Sequence, residues 1–202
     1  MTSVVAICNL ALSNLGKLNI SSIDEASSEA RACRQFYEHT RDLLLESYPW
    51  RFAAKTTSMA QVSNDKPALW GYAYSRPVDC LKVRFVLRDP GVESCVVKVN
   101  GVSTYVGEQY HLEAGLIYCD ISPAFIHYTA KVTDPTKFTP LFVDALAWHL
   151  AVRLAMPLTR DPKVRADAWQ VAQQMTAAAQ MMDANENRHS SDVESEFVRA
   201  RA

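Results

Sequence analysis

Glycine is scarce, 6 in 202 residues. None stands in a Gly-x-Gly-x-x-Gly or Gly-x-x-x-x-Gly-Lys loop, which excludes the usual cradles for nucleotide phosphates. The sequence also lacks a Gly-x-Ser-x-Gly elbow, so an esterase-type serine has no support. Neither sign of charge is in surplus: 21 Lys and Arg face 22 Asp and Glu, a formal net of −1, which excludes tight binding to nucleic acid or an anionic membrane through bulk charge. The longest unbroken apolar run, residues 4–8, is far short of the roughly 20 that span a bilayer. No basic residue precedes it, so neither a secretory signal nor a membrane partner is expected. The five cysteines (Cys8, Cys33, Cys80, Cys95, Cys119) form an odd, widely spaced set with no Cys-x-x-Cys pair. They read as small buried hydrophobes in a reducing compartment, and folding in a cytoplasm is expected.

What is present is ordinary for a globular chain: 49% hydrophobic and 21% charged residues, enough to bury a core without metals or disulfides. Ser3 caps a first helix whose stripe is Val4, Cys8, Ala11 and Leu15, with Gly16 suited to the left-handed position after it. A polar link at 21–28 leads to a second helix with Ala30, Cys33, Tyr37, Thr40, Leu44 and Tyr48 inward, and Pro49 ends it. From 68 to 129 the helical period fades. Trp70, Tyr72 and Tyr74 alternate, as do Leu81, Val83 and Phe85, and Asn100-Gly101 and Ala114-Gly115 signal hairpins. The pattern predicts four to seven short antiparallel strands. Thr139-Pro140 opens a third helix, nearly all apolar from 141 to 156, which Pro157 is expected to stop. Asp161-Pro162 opens a fourth, with Val164, Ala168, Val171, Met175, Ala178 and Met182 as its stripe. Residues 187–202 are polar and without period.

The fold expected is α+β: an antiparallel bundle of four main helices with an inserted antiparallel β region and an extended C-terminal tail. The segments are 1–66 (two helices and a following loop), 67–131 (β insertion), 132–186 (two helices) and 187–202 (tail). Chemistry is sparse. His111, Cys119 and His127 lie eight residues apart, without the short ligand spacings of a zinc site, so no metal and no cofactor is expected. Glu108, Glu113 and Asp120 are the carboxylates from which a polysaccharide or peptidoglycan hydrolase would draw its acid–base pair. Asp144, His149 and Arg153 form the narrow polar edge of the third helix, where a structural cluster is the default. The apolar surface of helices three and four is covered either by a thick internal core or by neighbouring subunits, with Trp148, Trp169, Met175 and Met182 as interface candidates. The tail is expected either to be simply disordered or to be a docking arm that orders on a partner, with Phe197 as apolar anchor and Arg199 and Arg201 as carboxylate-binding forks.

A series of stretches occurs in a familiar order: Ala11-Leu12-Ser13-Asn14-Leu15-Gly16; Ile20-Ser21-Ser22-Ile23-Asp24; Arg41-Asp42-Leu43-Leu44-Leu45; Tyr48-Pro49-Trp50-Arg51-Phe52-Ala53; Arg76-Pro77-Val78-Asp79-Cys80-Leu81-Lys82-Val83; Val132-Thr133-Asp134-Pro135 on to Ala147; and Leu154-Ala155-Met156-Pro157. Through them the chain resembles tail tubular protein A, the head-to-tail adaptor family of short-tailed (podovirus-type) bacteriophages. The resemblance implies a non-enzymatic virion protein at the head-to-tail junction, assembled in the host cytoplasm. It implies a dodecameric homo-oligomer that binds the portal protein above and the tail nozzle (tail tubular protein B) below, and in some phages holds tail fibres. Double-stranded DNA passes through its lumen without sequence recognition. It further implies that the tail reaches the portal, with Phe197 standing where the family often carries a tryptophan. Trp50 and Phe52, just past Pro49, are expected to pin the second helix to the strand region, or simply to pack in the core.

Overall fold

The computed structural model describes residues 2–89 and 107–185, together with the backbone of strands at 96–99 and 102–105. The chain is α+β, with helices α1 (Val4–Asn14), α2 (Ser28–Ser47), α3 (Pro140–Thr159) and α4 (Pro162–Asn185) among the described residues. Their starts follow the side chains that satisfy their first free amides. Ser3 accepts from the Ala6 amide at 3.1 Å, Ser27 from Ala30 at 3.1 Å, and Asp161 from Lys163 at 2.8 Å. Gly16 takes the left-handed conformation after α1, at φ 65°.

One boundary and one stripe differ from the sequence pattern. Pro157 does not stop α3: a proline in the last turn forfeits a single amide bond, and the helix continues to Thr159. It ends where Arg160 turns left-handed at φ 56° and its amide reaches the Met156 carbonyl. Of the expected α4 stripe only Ala168 is buried, and the seam runs on through Ala172, Ala179 and Asp183 instead of Val171, Met175 and Met182. Alanines let two helix backbones approach closely, so the larger side chains are turned to the flanks. Helix α3 is the hub. Helices α1, α2 and α4 all pack on it, and it buries Phe142, Leu146, Leu150 and Leu154 completely. Its apolarity therefore serves an internal core. By length and composition it could cross a membrane, yet 56% of its apolar window is buried within this chain.

Nine strands are described: β1 (Ala54–Ser58), β2 (Gln61–Val62), β3 (Tyr72–Ser75), β4 (Cys80–Leu87), β5 (Val96–Val99), β6 (Val102–Tyr105), β7 (Tyr110–Glu113), β8 (Leu116–Cys119) and β9 (Phe125–Ala130). The first two fall where the sequence suggested loop. They form antiparallel sheets ordered β1-β9-β4 and β2-β3-β8-β7, with β5-β6 as a separate hairpin. The Asn100-Gly101 turn between β5 and β6 lies outside the described residues. Ala114-Gly115 makes the β7–β8 turn with positive φ at both positions, 49° and 79°. Tyr74, Val83, Ile117 and Ile126 from both larger sheets share one core. Two bulges in β4 break its alternation, so Val83 and Val86 are buried while Phe85 turns outward. Cys8, Cys33, Cys80 and Cys119 are buried and free.

Trp50 and Phe52 sit in the helical core. The Trp50 ring meets Phe142 of α3 edge-on at 5.0 Å, and Phe52 meets Phe138 and Phe142 at 5.7 and 4.9 Å. The strand region joins this side through Leu81 and through Arg84, which donates to the Glu46 carbonyl (2.9 Å) and to Thr129 Oγ1 (2.8 Å). Lys131 adds an ion pair to Asp42 at 2.9 Å. The Tyr37 hydroxyl is buried with no hydrogen-bond partner among the described residues. Tyr37→Phe is therefore expected to leave the urea midpoint unchanged or raise it slightly, by up to about 1 kcal/mol. A clear loss of stability would reveal a partner for that hydroxyl.

Candidate functional site

Among the described residues, one concavity is a groove floored by α3 and walled by α2 and α4. It consists of cavities of about 840 and 340 Å³ that share His149, Arg153 and Trp169. Helix α2 contributes Phe36 and Leu43, α3 contributes Met156, and α4 contributes Arg165. The alanine seam explains the shape: it holds α4 close to α3 and leaves Trp169, next to Ala168, 52% exposed at the rim. His149 shares a 2.8 Å hydrogen bond with Thr176 Oγ1 and meets the Trp169 ring edge-on at 6.0 Å. Burial, and then the Arg153 guanidinium, hold its pKa below the ordinary 6.5.

A second cavity, about 780 Å³, lies over the outer face of the β1-β9-β4 sheet and is lined by Arg51, Thr56, Phe85, Phe125 and His127. His127 Nδ1 is 2.8 Å from Thr56 Oγ1, and its ring stacks on Phe85 at 5.9 Å. Burial, with Arg84 as the lesser cause, lowers its pKa as well. The unfolded chain therefore takes up protons at both histidines more readily than the folded one. Stability is complete above about pH 6.5 and is lost as pH falls from there toward the lower folded values. Urea midpoints are expected to drop between about pH 7.5 and about pH 5.5, and His149→Asn is expected to remove part of that drop. A flat profile would contradict the burial of these rings. Asp79 and Glu113, whose carboxyls are held low by Lys55 and Lys66 respectively, lose their contribution only at more acidic pH.

No family model matches the chain, and no curated protein matches it in sequence.

The sequence candidates are dispersed. His111 and Cys119 lie on the four-stranded sheet and His127 on the three-stranded one, and no group of three His, Cys, Asp or Glu among the described residues could hold a metal ion. The three carboxylates each have a separate local partner. Glu108 lies 3.8 Å from Arg88, and Asp120 accepts from the Gly71 amide at 2.8 Å. Glu113 binds Lys66 and, at 3.1 Å, His111. Those contacts lower the Glu113 pKa, the opposite of what a general acid needs. Asp65 nearby accepts from the Tyr118 hydroxyl at 2.7 Å and pushes its pKa up to about 12.

Of the interface candidates, Trp148 and Met175 pack half-buried against the helical core. Trp169 and Met182 are exposed, as is Met181. Phe197, Arg199 and Arg201 lie outside the described residues. Sequence reasoning missed the groove-lining Phe36, Leu43, Met156 and Arg165. For Leu43 a signal existed: it is a leucine of α2 that fits no position of the inward stripe.

Proposed function

We propose that the chain is a structural virion protein, a ring-forming adaptor that joins a phage portal to the tail nozzle and continues the channel for DNA. It is not an enzyme. The observation that carries this reading is the set of large apolar side chains that α4 leaves exposed. That helix packs chiefly on α3 and leaves Trp169, Met181 and Met182 exposed by 52%, 67% and 55%. Apolar side chains of that size, repeated along one helix, suit burial by an adjacent copy. The ordered series of stretches from Ala11 to Pro157 supports the same reading. The helices form the antiparallel bundle of the adaptor, with the two sheets as its insertion and residues 187–202 as the arm that docks on the portal.

Ring closure lets each interface stay modest, because many weak contacts are fixed in one geometry. A net charge of −1 suits a lumen that must let DNA slide, since every phosphate neutralised by Lys or Arg would add grip. The test is co-sedimentation with a cognate portal, comparing the full chain with one lacking residues 187–202. The full chain is expected to travel with the portal. The truncated chain is expected to keep its circular dichroism and lose most of its portal binding. Unchanged affinity after truncation would overturn the arm's role. Failure of the full chain to associate would overturn the adaptor reading.

A further inference from the structure

The groove between α2 and α4 combines two features that call for a specific occupant. Its apolar surface is formed by Phe36, Met156 and Trp169, and two arginines, Arg153 and Arg165, line it as well. Neither arginine makes an ion pair among the described residues, and no carboxylate is among the described residues that line the two cavities. An occupant must therefore offer carboxylates interleaved with apolar side chains.

We infer that the occupant is the chain's own segment Asp192-Val193-Glu194-Ser195-Glu196-Phe197, docked in the groove of the same subunit before the subunit joins a partner. Its three carboxylates match Arg153 and Arg165, and Val193 and Phe197 match the Phe36–Met156–Trp169 surface. Reach is sufficient. The described part of helix α4 runs to Asn185, beside the end of the groove that Ser47 and Gln180 line. From Gln180 back to Arg165 the helix covers about 22 Å, whereas an extended chain from Asn185 to Phe197 spans up to about 40 Å. Tethering supplies an effective concentration of order 1 mM. An intrinsic affinity of only about 100 μM then keeps the segment docked about nine-tenths of the time.

This inference needs no portal and does not depend on the adaptor reading. If both hold, Phe197 cannot occupy the groove and the portal together, so portal binding releases the groove.

Hydrogen exchange on the full-length chain, free of partners, tests it. Amides of 192–197 are expected to exchange about tenfold more slowly than unstructured peptide rates, independently of protein concentration. The double substitution Arg153→Glu, Arg165→Glu is expected to abolish that protection while α2 and α3 keep theirs. Adding Glu194→Arg and Glu196→Arg to it is expected to restore protection. Phe197→Ala is a second route to the same loss. Unstructured rates in the wild type, or protection that survives the double substitution, would overturn the inference. Protection that grows with protein concentration would assign the segment to a neighbouring copy and overturn docking within one subunit.

Discussion

Trp50→Ala is expected to lower stability by about 3–5 kcal/mol, the cost of removing a large buried aromatic and leaving a cavity. Trp50 is fully buried. Its ring touches Tyr48 at 4.9 Å and Phe142 at 5.0 Å, and its indole N–H donates to the Leu44 carbonyl at 2.8 Å. Together with the Ser47 hydroxyl, which donates to the same carbonyl at 2.7 Å, that bond satisfies a carbonyl in the last turn of α2, where the helix has no amide left to offer. One side chain thus ends α2 and fastens it to the start of α3. Trp50→Phe keeps an aromatic contact but drops the Leu44 bond, and is expected to cost about 1–2 kcal/mol. Urea denaturation distinguishes the two. Equal losses would mean that the indole N–H, and not ring packing, carries the effect. A loss below about 1 kcal/mol for the alanine variant would contradict its place in the core.

Asp183→Ala is the second large effect, about 2 kcal/mol and a fall in Tm of about 4–8 °C. An acidic residue in the last turn faces the negative end of the helix dipole and is unfavourable there without a partner. Asp183 is buried and has one: it accepts from the Arg51 backbone amide at 3.2 Å, and the Arg51 side chain approaches to 3.9 Å. Removing the carboxylate leaves that amide without its acceptor and frees the end of α4 from the Trp50 junction. The loss is expected to appear in hydrogen exchange first in the last two turns of α4, with α3 unaffected. Uniform loss across all four helices would show that this contact governs global stability rather than the local anchoring of α4.

Caps and turns were the most legible parts of the sequence. Ser3, Gly16, Thr139-Pro140, Asp161-Pro162 and Ala114-Gly115 act locally, and the structure places each where its own chemistry requires. Pro157 misled because proline excludes an amide bond, not a helical turn, and at a helix end the difference is small. The α4 stripe held at Ala168 and misled beyond it, because hydrophobicity favours Val and Met whereas close approach to α3 favours Ala172 and Ala179. Strands β1 and β2 were hidden in Lys55, Thr56, Thr57 and Gln61, whose side chains show no alternation because an edge position demands little of them. Phe85 looked like core until two bulges turned it outward. The groove could not be read as a unit: His149, Arg153 and Trp169 stood out singly, but Phe36, Arg153, Arg165 and Trp169 come from three helices, and only packing brings them together.

Whether the exposed apolar side chains of α4 are covered by further copies of the chain is best decided by imaging. Electron microscopy of the purified full chain mixed with a cognate portal is expected to show one closed ring of this protein seated against the portal, with α4 at the contact between neighbouring copies. Single subunits, with Trp169, Met181 and Met182 open to solvent and the portal bare, would contradict the account.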